Sequence, residues 1–368
     1  MAGKRTIKRI GVLTGGGDCP GLNAVIRAVV KSGLVEHNLE AVGILDGYDG
    51  LVTDRMVKLD YESVSGILAV GGTILGTSNT ADPFHYVEPG GKAEDARDLS
   101  DQSLEIAEGA GLDVLFCIGG DGTLSIAHSL AQKGLPVIGV PKTIDNDLWG
   151  TDVTFGFDTA VQIVSDALDR LHTTAMSHHR AMIIETMGRY AGWLALVAGM
   201  AGGGDIILIP EIPFSMDAVC KAVESRGRRG KRFSIIVVAE GVKVPHGGYV
   251  VRQRVEESHD KIRLGGIGMW LAAEIEAMTS ITSRAVVLGH IQRGGTPTAH
   301  DRVLATRFGH EALMQAVKGN FDIMVGLQGT HVVPVPLAEV AGRQRLVDAD
   351  CDVVRAARSV GTSFGEEY

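Results

Sequence analysis

Short apolar runs recur along this chain, each followed by a longer stretch with helical spacing. The runs 10–14, 41–45, 114–118 and 137–140 are continuous rather than alternating, the pattern of a strand buried on both faces. Runs at 181–184, 206–209, 235–238 and 285–288 continue the series, with helical patterns at 23–35, 93–109, 159–173 and 303–317. Such alternation builds open, mostly parallel sheets with helices on both faces. Eight strands could share one sheet, but 368 residues exceed what one core usually serves. The expectation is therefore an α/β protein with two doubly wound domains.

Nearly every run ends in glycine or in a polar cluster. After the first comes Gly15-Gly16-Gly17-Asp18-Cys19-Pro20-Gly21, and after the third Gly119-Gly120-Asp121-Gly122-Thr123. The fourth is followed by Lys142-Thr143-Ile144-Asp145-Asn146-Asp147. Later ends carry Met187-Gly188-Arg189, Ala239-Glu240-Gly241 and Gly289-His290-Ile291-Gln292-Arg293. In open α/β sheets the ligand lies beyond the carboxyl ends of the strands, so these residues are expected to share one rim. The chain has 49 glycines in 368 residues, well above the usual ~7%, and much of the excess falls at these ends.

Charge and cysteine content exclude several classes. The net charge is −9, and no Lys/Arg run is long enough to bind nucleic acid or an anionic membrane. The densest basic stretch, 226–232, reads as a solvated loop before a strand. Cys19, Cys117, Cys220 and Cys351 form no CxxC pair and read as free thiols of a cytoplasmic protein. The longest uncharged stretch, 190–204, is too short and too glycine-rich for a membrane span.

Three loops have the chemistry of phosphate and metal sites, and each has a plainer reading. Consecutive glycines at 15–17 let backbone N–H groups approach an anion at a helix N-terminus, or they make a tight turn with no ligand. The loop is neither G-x-G-x-x-G nor a P-loop ending in Gly-Lys-Ser/Thr. Asp121, flanked by glycines, suits Mg²⁺ beside phosphate oxygens, or a helix cap. Asp145 and Asp147, two residues apart, suit a general base with a supporting carboxylate, or an Asx-turn cluster. Arg180, Arg189, Arg284 and Arg293, with His290 and Lys142, fall at or beside strand ends. Arginine forks match phosphate oxygens in pairs, so several on one rim point to a small phosphorylated ligand.

Together these motifs resemble the 6-phosphofructokinase family. Gly16–Asn23, Gly119–Thr123, Pro141–Asp147, Met187–Gly192 and Leu288–Gly295 carry the likeness in order, and it runs from about residue 8 to about 318. The length and an insertion around 242–263 are similar to its mixed-substrate subfamily, whose members use ATP or pyrophosphate. The resemblance implies Mg²⁺-dependent phosphoryl transfer to the 1-hydroxyl of fructose 6-phosphate, in a cleft between two domains. The larger, donor-binding domain would hold 1–155 and 297–345, and the smaller sugar domain 156–296 and 346–368. By resemblance Asp145 is the proton acceptor, with Thr143, Asp147 and Lys142 beside it, and Asp121 is the metal ligand. Gly17, Asn79, Gly120, Gly122 and Thr123 would face the donor. Thr143, Asp145, Met187, Gly188, Arg189, Glu240, His290 and Arg293 would face the sugar phosphate. Arg180 and Arg284 would be supplied by a neighbouring subunit, implying a homo-oligomer, dimer or tetramer, with shared active sites.

Departures from the family pattern concern the donor and regulation. Pyrophosphate users of the family carry Asp where Gly122 stands, and that side chain would crowd and repel a nucleotide α-phosphate. Gly122 therefore favours ATP, while Lys142 is the residue of pyrophosphate users. Asn79 stands where bacterial members have Arg, and Lys142 is expected to compensate for the missing charge. Arg27 and Arg55 match basic positions of the family's effector site, whereas His172 and Asp205 replace its Arg and Glu. A flat response to ADP and phosphoenolpyruvate is expected.

Overall fold

The first apolar run begins a doubly wound sheet in the computed structural model, which describes residues 7–228, 230, 232–245, 247–254 and 262–367. In chain order this part comprises β1 (Arg9–Thr14), α1 (Leu22–His37), β2 (Glu40–Ile44), α2 (Tyr48–Val52), β3 (Met56–Leu59), α3 (Ser100–Gly109), β4 (Val114–Gly119), α4 (Asp121–Gln132) and β5 (Val137–Pro141). A second group follows: α5 (Phe157–His178), β6 (Ala181–Thr186), α6 (Trp193–Ala201), β7 (Ile206–Leu208), α7 (Met216–Arg228) and β8 (Ser234–Ala239). Then come β9 (Val251–Arg254), β10 (Ile262–Leu264), α8 (Ile267–Thr279) and β11 (Ser283–Val287). The chain closes with α9 (Ala299–Lys318), β12 (Ile323–Gln328), β13 (His331–Pro336), α10 (Leu337–Val340) and α11 (Asp352–Ser359).

The first group and the returning strands form a seven-stranded sheet in the order β13-β12-β5-β4-β1-β2-β3. Its interior pairs are parallel, and only the outermost pairs, β2–β3 and β12–β13, are antiparallel. Every residue of β4 and β5 is buried, which explains their unbroken apolar sequence. From β1 the chain winds out to β3 and returns on the other side at β4. The crevice between β1 and β4 is therefore the switch point where such sheets bind ligands. The second sheet, β11-β6-β8-β7, is wholly parallel, and its β6 and β8 are likewise buried throughout.

One apolar core runs continuously through both groups, and a smaller one fills the opposite face of the first sheet. Helices α1 and α9 cross closely because Gly309 has no side chain. A Cβ there would stand 2.7 Å from the Ala28 Cβ and 2.8 Å from the Val25 carbonyl oxygen. Among the described residues no helix is long and apolar enough to cross a membrane.

The structure departs from sequence expectation in three places. Strands β3, β9, β10, β12 and β13 lie outside the expected runs; β3 is only four residues long, β9 and β10 pair only with each other among the described residues, and Pro334 and Pro336 confine β13 to a sheet edge. The helix expected over 93–109 is broken, because the Asp98 carboxylate takes the Ser100 N–H and hydroxyl and restarts the chain as α3. The arginines also do not share one rim. Arg180 precedes β6 and Arg284 is the second residue of β11, which places both at the amino ends of their strands, opposite the loops that follow. The remaining basic residues stay at the carboxyl ends. Residues 246 and 255–261 of the expected insertion, and 229 and 231 of the basic stretch, lie outside the described residues.

Candidate active site

The loops after β1, β4 and β5 meet because the strand ends are in register. Thr14 pairs with Ile118, and Gly119 with Pro141. The buried side chain of Thr123 fills the space beneath the glycines: a Cβ on Gly15 would lie 2.6 Å from its hydroxyl, and one on Gly119 would overlap it. Gly16 donates its N–H to the Ser78 carbonyl at 3.0 Å, and the Thr77 hydroxyl donates to the Gly16 carbonyl at 2.6 Å. The segment 76–79 is thereby fastened to the glycine loop. Thr77 and Ser78 continue into a cavity of about 300 Å³ whose walls include Asp46, Asp49 and Tyr86. Asn79, exposed, lies in sequence between the lining residues Ser78 and Thr80. A Cβ on Gly122 would meet nothing within 4 Å, so the start of α4 is open. Gly120 is nearly as open, with only the Lys142 carbonyl 3.5 Å away.

Lys142 is buried behind the glycine loop, where its ammonium donates to the Gly17 carbonyl. Burial is the main influence on it and pulls its pKa down to about 8, against the raising effect of Cys19, Asp18 and Asp145. The Cys19 thiol, fully enclosed nearby, is pushed up to about 12 by the same burial. It is no nucleophile at neutral pH.

The carboxylates follow β5 on a sharp turn. Thr143 accepts the Asp145 N–H at 3.0 Å, and its own carbonyl takes the Thr154 hydroxyl at 2.8 Å. Between the two aspartates Asn146 adopts φ 53°, the left-handed region that Asn tolerates. Its side chain is held by the Thr154 N–H at 3.0 Å. Burial first, and the charge of Asp145 second, push the Asp147 carboxyl up to about 7, with Asp121 adding to the effect. Asp121 accepts the Gly342 N–H at 3.0 Å. Among the described residues no three His, Cys, Asp or Glu side chains close around a cation. Mg²⁺ commonly needs only one or two carboxylates plus phosphate oxygens, and the mutual repulsion of these three aspartates is what a divalent ion would relieve. The donor set fits the metal.

The second sheet presents its own loops to the first. Glu240 donates its N–H to the Thr186 carbonyl, and Gly241 to the Gly188 carbonyl, so the segments after β6 and β8 lie back to back. Gly188, at φ 131°, is required there, since a side chain would also press on the Ala191 carbonyl. Met187 donates its N–H to the buried Gln292 side chain at 3.3 Å, which ties this loop to the turn carrying Arg293. His290 lies exposed on that turn, and Arg189 is half-buried beside Glu240. Burial, followed by Asp145 and Glu185, pushes the Glu240 carboxyl up to about 7, while Arg293 and Arg189 oppose the shift. Arg293 reaches the first sheet, donating to the Asp18 carbonyl at 3.2 Å.

Thus Lys142, Asp145 and the glycine loop at Gly17 lie against Glu240 and Arg293, with Met187, Gly188, Arg189 and His290 on the same loops of the second sheet. Arg180 and Arg284 do not join them within the chain. Sequence reasoning missed Asp46, Asp49 and Tyr86, whose only signal is the cavity itself. Three of the residues that carried the effector likeness, Arg55, His172 and Asp205, are engaged internally. Arg55 pairs with Asp46 at 2.6 Å and with Asp49. His172 bonds the Gly202 carbonyl, and Asp205 pairs with Arg226 at 2.7 Å.

Comparison with known proteins agrees with this geometry. A family profile described as Phosphofructokinase matches residues 9–316. The chain is 51% identical to an "ATP-dependent 6-phosphofructokinase" of Chloroflexus aurantiacus over 373 residues, 100% of both chains. It is 53% identical over 340 residues to the "Pyrophosphate--fructose 6-phosphate 1-phosphotransferase" of Amycolatopsis methanolica, covering 92% of this chain and 96% of that one. Among solved structures, the Pichia pastoris phosphofructokinase in the T-state superposes with a TM-score of 0.78 at 32% identity, over 92% of this chain. This chain spans 38% of that longer protein.

Proposed function

This chain belongs to the phosphofructokinase family, and from that premise we infer that it transfers the terminal phosphoryl group of ATP to the 1-hydroxyl of fructose 6-phosphate, yielding fructose 1,6-bisphosphate and ADP in cytoplasmic glycolysis. The observation that carries this reading is the meeting of the two rims. Arg293, the candidate phosphate clamp of one sheet, touches the glycine loop of the other, with the Asp145–Asp147 turn in the same cleft.

In this reading Asp145 accepts the proton of the 1-hydroxyl as its oxygen attacks the γ-phosphorus. The bond from that phosphorus to the bridging oxygen breaks, and ADP leaves. Thr143 and Asp147 hold the turn's geometry and charge, and Lys142 neutralises phosphate charge that Asn79 cannot. Asp121 would hold Mg²⁺, which when bound neutralises phosphate charge during transfer. Positioning and charge neutralisation supply most of such catalysis. Gly17, Gly120, Gly122 and the backbone near Thr123 receive the donor phosphates, and the cavity beyond Ser78 receives the nucleoside. Met187, Gly188, Arg189, Glu240, His290 and Arg293 receive the sugar phosphate. On the domain division given above, the first group belongs to the larger domain and the second to the smaller.

Overall likeness does not choose the donor, because relatives named for ATP and for pyrophosphate are about equally similar. The open space at Gly122 favours ATP, since nothing within 4 Å would crowd a nucleotide there. Arg180 and Arg284 serve the site only if a second copy presents them, so we infer a homo-oligomer with shared sites. The exposed Val287 at the end of the edge strand β11 and Ile291 just after it support such a contact. A coupled assay of fructose 6-phosphate phosphorylation with ATP and with pyrophosphate tests the reading. Faster turnover with pyrophosphate would assign the alternative donor, and no turnover with either would reject the function.

A further inference from the structure

The turn that carries Asp145 and Asp147 is held from one side by Asn146 and Thr154. From the other side it is held by a segment near the carboxyl terminus. Arg345 donates its backbone N–H to the Asp147 carbonyl at 2.8 Å and its Nη1 to the Asn146 carbonyl at 3.3 Å. The neighbouring residues Gln344 and Leu148 form a short antiparallel bridge. The Arg345 guanidinium also lies over the Trp193 ring, 4.1 Å from its centre, and the Trp193 Nε1–H donates to the Arg345 carbonyl at 2.8 Å. Two residues on, Val347 donates to Glu211 at 2.8 Å, and the same carboxylate takes the Gly192 N–H at 2.9 Å. Gly192 and Trp193 end the Met187–Gly192 loop and begin α6.

We propose that Arg345 is a positioning residue for phosphoryl transfer, fixing the left-handed Asn146 turn between the two carboxylates and coupling it through Trp193 to the sugar-side loop. The peptide that joins Asn146 to Asp147 controls where both carboxylates point. Residues in the left-handed region persist only where their surroundings over-determine them. The Asn146 side chain secures one edge of that peptide, and its carbonyl needs a donor on the other. A guanidinium supplies that donor while its flat face stays on the indole, which an ammonium cannot do in the same geometry. The two rims are thereby registered to each other through one side chain.

This inference rests on the proposed phosphofructokinase reaction. Steady-state kinetics of full-length Arg345→Ala with fructose 6-phosphate and ATP test it. The expected result is kcat lowered about tenfold or more, with KM for both substrates within about twofold of wild type. Added methylguanidinium, which can stack on Trp193 and reach the Asn146 carbonyl, partly restores kcat. An unchanged kcat, a rise in KM at constant kcat, or a loss that methylguanidinium does not recover overturns the proposal. Should Arg345→Ala not fold, Trp193→Phe carries the test, because it keeps an aromatic ring at that position while removing the Nε1–H and the second ring of the indole. A fall in kcat of about threefold at unchanged KM supports the coupling, and an unchanged kcat overturns it. Failure of the wild-type enzyme to phosphorylate fructose 6-phosphate would instead reject the reaction itself.

Discussion

Arg293 Nη1 lies 2.6 Å from the position that a Cβ on Gly17 would occupy. The glycine loop and the clamp thus contact each other because position 17 has no side chain. Gly17 does not have positive φ, so alanine is tolerated by the backbone there. What must move is the end of a flexible arginine. Gly17→Ala should leave the melting temperature within about 2 °C of wild type, since the backbone is unstrained and only a flexible side-chain end must yield. Its KM for fructose 6-phosphate should rise about tenfold, the equivalent of ~1.4 kcal/mol. Thermal denaturation beside substrate-saturation curves checks both, and an unchanged KM would show that Arg293 serves another role.

Gly122→Asp addresses the donor. A side chain there meets nothing within 4 Å, so the variant should fold and retain its stability. Its carboxylate would project into the space assigned to a nucleotide's α-phosphate. Two like charges about 4 Å apart repel by ~4 kcal/mol at the effective dielectric of a protein surface. We expect kcat/KM with ATP to fall at least about a hundredfold, while turnover with pyrophosphate is retained or gained. Equal loss with both donors would place Gly122 outside the donor site.

The sequence made the carboxyl-end loops legible for a physical reason. Backbone that approaches a phosphate must be glycine-rich, and strands buried on both faces must be continuously apolar, so both features are written locally. The register of β1, β4 and β5 then brings Gly15–Gly17, Asp121 and Asp145 together as expected. Which end of a strand a residue occupies depends on where the strand begins and on its direction in the sheet, so Arg180 and Arg284 fall on the rim opposite the carboxyl-end loops. Edge strands such as β13 carry prolines and exposed residues and so give no strand signal. The Arg345–Trp193 contact spans 152 positions of sequence, and nothing in the composition of either segment announces it.

Asp145→Asn removes the candidate base while keeping its shape. General-base contributions are commonly 10²–10⁴-fold, so kcat should fall by about a thousandfold with KM little changed. The structural effect has the opposite sign. Asp145 raises the pKa of both Asp147 and Glu240, so neutralising it relieves repulsion in a buried cluster. The melting temperature at pH 7 should stay level or rise. A variant with native activity would reject Asp145 as the proton acceptor.

Arg55 has its guanidinium committed to Asp46 and Asp49, and Tyr86 donates to the other oxygen of Asp49 at 2.7 Å. A cation held by two carboxylates at the wall of the cavity is poorly placed to recruit an effector's phosphate. Velocity with subsaturating fructose 6-phosphate should therefore be flat as phosphoenolpyruvate is added, and also as ADP is added once product inhibition is subtracted. A sigmoidal response to either would mean that Arg55 leaves its partners in another state.

Lys142 should trade stability for activity. Burial lowers its pKa from 10.5 to about 8, so at pH 7 the folded protein holds a desolvated cation that the unfolded chain holds in water. A lysine with a depressed folded-state pKa binds fewer protons folded than unfolded between about pH 8 and 10.5. Stability from this group therefore rises with pH through that window, and the penalty is fully present below it. Lys142→Met keeps much of the volume and removes the charge, at the cost of the hydrogen bond to the Gly17 carbonyl, worth about 1 kcal/mol. The variant should be more stable than wild type at pH 7 by about 1–2 kcal/mol, with the difference vanishing or reversing near pH 10. Its kcat should fall at least tenfold, because Asn79 cannot replace the lost charge against phosphate, and the decline of wild-type kcat above about pH 8 should disappear with it. Denaturant melts at pH 7 and pH 10 beside a pH–rate profile measure all three. A variant that is less stable at pH 7 yet fully active would reverse the assignment and make Lys142 a structural tie for the glycine loop.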